Sequence, residues 1–291
     1  MTKLFCQNTG YYNRKTKTLN GEYIAPTRSQ INVDAHNYIL IDGEKYEVGE
    51  GLRDVRGRAD SDTHLICTKY DILRHSDNND TINLMLALPC NYFRNKEYRE
   101  KYRLLIPEIL EGEVNGVNKT VHIKNKEIYM EGAAAYLIYK QAFKDNVVGV
   151  IDIGGNTINC MVYAYGKIQI DTIMTLDTGT IKLERDLIDA LNTSRGWYTQ
   201  EYELKEIIES GECSSIVNNV FDRHIDRLRK SLLEKKWNLE RMWLFATGGG
   251  ASTLEKTLKK YFSKVVVSKY GLYDNVRGMW EAGRVIFNDR A

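Results

Sequence analysis

The sequence predicts an α/β fold. Its 291 residues are enough for one large or two medium-sized domains with an extensive hydrophobic core. Two stretches carry the α/β prediction. One is a buried strand, a glycine turn and a second strand at 147–164 (VVGVIDIGGNTINCMVYA), and the other is a strand, three glycines and a helix at 239–262. A third observation is that the pattern is repeated on a large scale, since another glycine turn follows a short strand near the N-terminus.

Composition excludes several classes of function. Lysine and arginine total 41 against 39 acidic residues, so the net charge of +2 gives no general reason to expect nucleic-acid binding. No apolar run approaches the length of about 18 residues that a membrane span needs, and the N-terminal residues MTKLFCQNTG do not include the long apolar stretch typical of a signal peptide. The five cysteines form no CxxC pair and are typical of reduced, structural thiols, which predicts a cytoplasmic protein. The lack of a long apolar run predicts no membrane partner.

The central turn, Gly154-Gly155-Asn156-Thr157, predicts a phosphate site. Asp152 lies at the end of the preceding strand, and the two glycines allow a ligand to approach the main chain. Successive N–H groups in such a turn attract anions, and Thr157 adds a hydroxyl. An ordinary hairpin remains an alternative for a Gly-Gly pair. A P-loop requires GxxxxGK[ST], and a dinucleotide fingerprint requires a helix after the glycines, whereas a strand follows here.

The N-terminal segment predicts a similar arrangement. A strand at Lys3–Gln7 leads into Asn8-Thr9-Gly10 and then to Lys15, within a charged second strand at Asn13–Thr18. Taken alone, this segment is equally compatible with a polar hairpin. A further hairpin is predicted around Asp42-Gly43, where two alternating runs flank a D-G turn.

The middle of the first half is predicted to contain a peripheral insertion, at about 30–80, whose charged part holds His64 and His75 as surface histidines. Ile82–Leu88 has the length and composition of a buried strand. Glu131 opens a predicted helix that continues to about Lys144, where an acidic residue in the first turn favours the helix dipole.

The second half predicts alternating strands and helices. Thr180 is a candidate cap for an amphipathic helix at Ile181–Leu191, and a longer helix is predicted at about 216–236. The strand at 239–246 enters Thr247-Gly248-Gly249-Gly250, where backbone N–H groups and a helix N-terminus are predicted to face a ligand. Gly278 and Gly283 lie in the final predicted helix, and glycine there costs about 1 kcal/mol relative to alanine, which indicates close packing.

Together these motifs resemble those of the actin-like ATPases. The ordered set is NTGxxxxK, LALP, Glu131, DIGGNT, TGGGAS and NVRGMWEAG, and it is most similar to the ParM-type plasmid-segregation actins of Gram-positive, clostridial-like bacteria. The resemblance implies an actin-like, ribonuclease H-like fold with two related α/β lobes around a nucleotide cleft. Lobe I would comprise 1–146 and 275–291, and lobe II would comprise 147–274 with a short insertion at about 192–213.

The resemblance also implies a site for ATP, or GTP, with Mg²⁺. Glu131 would orient the attacking water, and Asp152 would act in catalysis and hold the metal through water. Asn8 stands where the family has aspartate, so its metal role through water would lack the charge. The nucleotide-binding residues would be Asn8, Thr9, Gly10, Lys15, Gly154, Gly155, Asn156, Thr157, Gly179, Thr247, Gly248, Gly249 and Gly250.

The function implied is a filament whose stability is controlled by nucleotide hydrolysis. Its partners would be other copies of the chain and a ParR-type adaptor, with centromere-like plasmid DNA contacted only indirectly. Three alternatives stay open: a small-metabolite kinase of the same fold, a regulatory ATP-binding module that does not polymerise, and a catalytically idle scaffold suggested by Asn8.

Overall fold

A computed structural model describes residues 2–288 and divides them into two compact units. Unit 1 comprises the chain up to Gln141 together with the chain from Leu272 onward, and unit 2 comprises Ala142–Gly271. These limits fall a few residues from the lobe boundaries proposed above. No helix among the described residues combines the length and apolar character needed to cross a membrane.

The chain alternates strands and helices throughout. The strands are β1 (Lys3–Thr9), β2 (Asn13–Thr18), β3 (Gly21–Pro26), β4 (Arg28–Ile31), β5 (Tyr38–Ile41), β6 (Glu44–Arg53), β7 (Asp80–Leu88), β8 (Ile109–Val114), β9 (Val117–Met130), β10 (Val147–Ile153), β11 (Ile158–Ala164), β12 (Lys167–Leu176), β13 (Trp243–Thr247) and β14 (Val265–Val267). The helices are α1 (Asp62–Arg74), α2 (Cys90–Arg94), α3 (Lys96–Leu104), α4 (Ala133–Phe143), α5 (Thr180–Arg195), α6 (Leu204–Ser210), α7 (Ser214–Glu234), α8 (Gly249–Thr253), α9 (Glu255–Tyr261) and α10 (Gly271–Asn288). Single 3₁₀ turns occupy Arg58–Asp60 and Glu201–Glu203.

Five strands of the unit 1 sheet repeat the topology of the whole unit 2 sheet. In unit 1 the order is β3-β2-β1-β7-β9-β8-β5-β6-β4, and in unit 2 it is β12-β11-β10-β13-β14. Each sheet begins with three antiparallel strands, and β1 and β10 are then followed by two parallel neighbours. The central strands are apolar because they are covered on both faces, as parallel strands usually are. The carboxyl ends of the parallel strands in each unit therefore meet at one sheet edge.

The segment predicted to be a peripheral insertion contributes to the main body of unit 1. Strands β4, β5 and β6 belong to the nine-stranded sheet, and eight residues of α1 are buried. The prediction of surface histidines is wrong: His64 is fully buried on α1, its Nδ1 lies 2.8 Å from the Ser61 Oγ, and His75 stacks on Tyr23. The many charged residues of this segment conceal, in the sequence, the apolar side of α1.

Unit 1 also contains a buried charge network between α1 and the first hairpin. Asp71 Oδ1 accepts a 2.9 Å hydrogen bond from Arg14 Nε, and its Oδ2 accepts hydrogen bonds from Gln7 and Thr16. Both charged side chains are at most 5% exposed. A paired buried charge becomes costly when its partner is removed, because the remaining charge stays desolvated.

Replacing Asp71 with asparagine is expected to lower the free energy of unfolding by about 3 kcal/mol or more, because Arg14 loses its buried counter-charge. Urea denaturation followed by circular dichroism measures this loss. Glu100→Gln is the matched control, since it removes a surface partner of Arg103 and is expected to leave stability unchanged within error. Equal stability of the two variants would contradict the role of the buried pair.

The core of unit 2 lies between its sheet and the helices that follow β12. Leu183, Leu187 and Leu191 on α5 pack with the apolar side of α7, as the helical spacing predicts. Some boundaries differ from the predictions. The strand predicted from Leu239 begins at Trp243, and Gly179 rather than Thr180 is the N-cap of α5.

Candidate functional site

The predicted site residues lie at the carboxyl ends of the central strands, in two groups. Asn8 is near the end of β1 and Glu131 directly follows β9, both in unit 1. Asp152 is near the end of β10, and its parallel partner across β13 is Thr247, both in unit 2. Open α/β sheets bind ligands at these ends. The repeated topology therefore produces a candidate ligand-binding edge in each unit.

In unit 1 a buried arginine joins the two predicted residues. Arg58 is 1% exposed, and its Nη2 donates to Asn8 Oδ1 at 3.1 Å and to Glu131 Oε1. Its Nη1 donates to the Ala87 carbonyl. Burial is the largest single effect and acts against the charge of the guanidinium, but the Glu131 carboxylate together with Tyr102 and Tyr11 outweighs it, so the pKa of Arg58 is raised. Arg58 therefore stays charged between the two side chains.

The position of Glu131 is fixed by its neighbours along the chain. Its N–H donates to the Leu88 carbonyl at 2.9 Å, so it continues the pairing of β9 with β7 before the chain turns. Gly132 follows with a φ of +75°, and its N–H donates to Asn275 Oδ1. Glu131 thus precedes α4 instead of opening it. The left-handed glycine turns the chain away and leaves the carboxylate at the sheet edge.

The remaining unit 1 candidates differ in what they can offer a ligand. Lys15 is the antiparallel partner of Asn8, and its Nζ donates to the Asn13 carbonyl at 3.0 Å. An added Cβ at Gly10 would lie 2.8 Å from the Asn13 carbonyl oxygen, so only glycine fits this tight turn. The Thr9 hydroxyl is 2.9 Å from the Thr68 hydroxyl inside the unit. Thr9 therefore has no hydroxyl directed at a ligand.

In unit 2 Asp152 and Gly248 are in close contact. Gly248 has a φ of +83°, and a Cβ there would meet the Ile153 carbonyl oxygen and lie 2.5 Å from Asp152 Oδ1. Asp152 and Thr247 are both buried. A side chain at position 248 would therefore displace the carboxylate predicted to act on the metal.

The central glycine turn has free donors. Gly154 N–H donates to the Thr157 carbonyl, but the N–H groups of Gly155 and Asn156 donate no hydrogen bond within residues 2–288. The three residues 154–156 are half-buried, whereas Thr157 is buried, with its Oγ1 3.5 Å from the Asn159 Nδ2. Two successive N–H groups without a partner form the kind of concavity that binds an anion.

The other glycines hold this turn and its surroundings in place. The N–H groups of Thr180 and Ile181 donate to the Gly154 and Gly155 carbonyls, so the start of α5 binds the turn itself. A Cβ at Gly179 would collide with those carbonyls. Gly249 and Gly250 were predicted as part of a turn but lie in α8. A Cβ at Gly250 would meet the side chains of Ile153 and Thr180.

Arg58 is the residue that sequence reasoning missed. It lies in a charged stretch with no motif, and its partners are 50 and 73 residues away along the chain. No pattern in the sequence marks such a contact. The nearby His64 was misassigned for the same reason. Burial and the charge of Arg58 lower the pKa of His64 to about 3, so its imidazole stays neutral beside Tyr11.

The residues present fit a magnesium ion held with phosphates. Among residues 2–288 no three His, Cys, Asp or Glu side chains cluster in a way that could hold a metal by themselves. Mg²⁺ commonly keeps several waters and binds one or two carboxylates plus substrate phosphates. Asp152 is suited to that role. Asn8 directs its amide oxygen at Arg58, which does not fit an acceptor for metal-bound water.

Comparison with known proteins confirms the resemblance predicted from the motifs. Residues 8–133 match the family model of the N-terminal domain of actin-like proteins. The ParM protein of pSK41 superimposes with a TM-score of 0.77 at 16% identity, covering 99% of this chain and 98% of that one. The archaeal actin homologue Ta0583 in complex with ADP gives 0.80 at 16% identity, covering 98% and 100%.

A ParM from a 15-stranded filament of Clostridium botulinum gives a TM-score of 0.80 at 15% identity, covering 98% of this chain and 99% of that chain. At these identities the likeness shows the fold. The chain therefore has the actin-like α/β fold over nearly its whole length. No curated protein matches the sequence significantly.

Proposed function

We propose that this actin-like chain is a nucleotide-dependent, filament-forming ATPase that segregates plasmid DNA through a ParR-type adaptor. The observation that supports it most is the pair of free N–H groups at Gly155 and Asn156, directly after the strand that carries Asp152. They form an anion site beside a carboxylate suited to Mg²⁺. A bound phosphate chain would satisfy both groups at once.

The proposed roles follow from the chemistry of phosphoryl transfer, which needs positioning and charge neutralisation more than covalent catalysis. The turn at 154–157 would bind phosphate oxygens, and Lys15 would add a positive charge. Magnesium, held by Asp152 and the phosphates, would neutralise developing charge. Glu131 would orient the water that attacks the terminal phosphate. The nucleoside would lie near Gly248, which directly follows β13.

Phosphate release from ATP and from GTP, measured over a range of protein concentrations with Mg²⁺, tests this function. The rate per molecule is expected to rise with concentration, because hydrolysis is proposed to accompany assembly. A substrate-dependent kinase would instead release ADP without free phosphate and independently of concentration. No hydrolysis of either nucleotide at any concentration would contradict the proposed activity.

Self-association is proposed because the fold is shared with a ParM filament and because unit 2 exposes large aromatic side chains. Tyr198 and Tyr202 are 91% and 82% exposed, in the short insertion before α6. Tyrosine is enriched among the residues that dominate binding energy at interfaces. Open filaments need a surface that contacts a different surface of the next copy, and this insertion is the proposed contact.

Replacing Tyr198 and Tyr202 together with alanine is expected to raise the critical concentration for assembly at least about tenfold, because exposed aromatic anchors are lost. Sedimentation with Mg-ATP measures it, while nucleotide affinity should stay unchanged. Tyr165→Asn is the control, since Tyr165 is 69% exposed in the β11–β12 turn, outside the insertion. An unchanged critical concentration in the double variant would exclude this surface as a filament contact.

A further inference from the structure

We propose that Asn8 donates a hydrogen bond to a nucleotide phosphate, and that Arg58 is the positioning residue that orients it. This inference rests on the proposed nucleotide site but assigns Asn8 a different chemical role from the aspartate of the family motif. The aspartate can only accept hydrogen bonds when ionised. Asn8 would use its amide NH₂, and would bind the anion directly instead of the water shell of a metal.

The orientation of the Asn8 amide follows from its neighbour. Arg58 Nη2 lies 3.1 Å from Asn8 Oδ1, and a guanidinium has donors and no acceptor. The amide oxygen must therefore face Arg58, since the reverse orientation would place two donors against each other. Arg58 is held in turn by the Ala87 carbonyl and by Glu131. The amide NH₂ consequently points away from this buried group.

The Asn8 NH₂ has no hydrogen-bond acceptor among the described residues, although Asn8 is only 4% exposed. Asn8 Nδ2 makes no hydrogen bond within the described residues and is not one of their fully buried unpaired polar atoms. Lys15 is its direct partner across the first hairpin, and directly opposed residues on antiparallel strands share a face. The Asn8 and Lys15 side chains therefore lie on the same face of the hairpin, at the carboxyl end of β1.

Charge balance explains why an aspartate would suit this position poorly. Arg58 and Glu131 form a buried pair with no net charge, and Asn8 adds none. An aspartate at position 8 would give one guanidinium two carboxylates and leave a net negative charge where a phosphate is proposed to bind. Buried charges are tolerated when they are matched. The neutral amide keeps the group balanced and Glu131 fully paired.

The test is the affinity for a fluorescent ATP analogue, measured with Mg²⁺ and with EDTA, for the natural protein and Asn8→Asp. The variant is expected to lose at least about tenfold in affinity in EDTA, because a phosphate donor becomes a negative charge. Asn20→Asp, which adds the same charge in the exposed β2–β3 turn, is the control and should bind as the natural protein does.

A metal-shell role for position 8 predicts the opposite result. Asn8→Asp would then bind more tightly than the natural protein with Mg²⁺, because its carboxylate would hold metal-bound water, and that outcome would overturn the inference. If the natural protein binds no nucleotide under either condition, the proposed function has failed before this inference is tested. The two failures are therefore distinguishable in one titration series.

A double variant separates the donor role from a folding effect. Asn8→Asp alone is expected to lower the thermal unfolding midpoint, since two carboxylates compete for Arg58. Combining it with Glu131→Gln restores one carboxylate per guanidinium and should recover the midpoint without recovering affinity in EDTA. If affinity returns together with stability, position 8 acts through folding alone, and the proposed donor role is wrong.

Discussion

Glu131→Gln is expected to slow phosphate release from ATP about 10²- to 10³-fold, because a positioned carboxylate typically contributes that much when it activates a nucleophile. Glutamine keeps the shape and still accepts a hydrogen bond from Arg58, whose guanidinium holds the carboxylate at the sheet edge. Nucleotide affinity should change little, since the proposed role concerns the attacking water. Filaments formed with ATP should therefore persist longer than those of the natural protein.

Single-turnover phosphate release and sedimentation over time measure the two effects together. Glu111→Gln is the matched control, because Glu111 is an exposed carboxylate on β8 of the same unit. Thermal unfolding of both variants shows whether the loss of charge beside Arg58 has disturbed the fold. Natural rates of hydrolysis in a folded Glu131→Gln variant would remove Glu131 from the mechanism.

Gly278→Ala is expected to lower the free energy of unfolding of unit 1 by about 3 kcal/mol or more, because the added methyl group overpacks a rigid contact. Gly278 lies on α10, and its Cβ would collide with the carbonyl group of Ala134 on α4. Backbone atoms in a helix cannot move aside without separating the two helices. The sequence predicted close packing at this glycine, and the structure identifies the contact.

Gly283→Ala on the same helix is the matched control for this prediction. Its Cβ would meet the Leu4 and Met85 side chains, which can change rotamer. Both substitutions gain about 1 kcal/mol of helix propensity. The difference between their free energies of unfolding therefore reports the cost of the contact with the rigid Ala134 carbonyl. Urea denaturation of both variants measures that difference. Equal stabilities would show that α10 can shift away from α4 at no cost.

Sequence reasoning was most successful where chemistry is local. The turn at 154–157 and the first hairpin were predicted from neighbouring residues, because the sterics of a glycine turn between two strands are short-range. The actin-like fold followed from the order of such motifs, and the comparisons confirm it. The roles of these motifs in binding a nucleotide stay predictions.

The parts that could not be predicted depend on contacts between distant segments. Arg58 meets Asn8 and Glu131 only because the chain folds, and nothing in the sequence around Arg58 marks it as buried. The same holds for the Arg14–Asp71 pair and for His64, which was predicted at the surface. Charged residues in an amphipathic helix conceal its buried side. The resemblance to the family motif also does not show that the Asn8 amide oxygen faces Arg58.

Right-angle light scattering of the purified protein tests whether it forms filaments under nucleotide control. The protein would be mixed with Mg-ATP, Mg-GTP, a non-hydrolysable analogue of each, or no nucleotide, while phosphate release is followed in parallel. We expect a rise in scattering that requires nucleotide, decays as phosphate is released, and persists with the analogue. A flat trace at every protein concentration, with nucleotide binding verified in the same samples, would contradict a nucleotide-controlled filament.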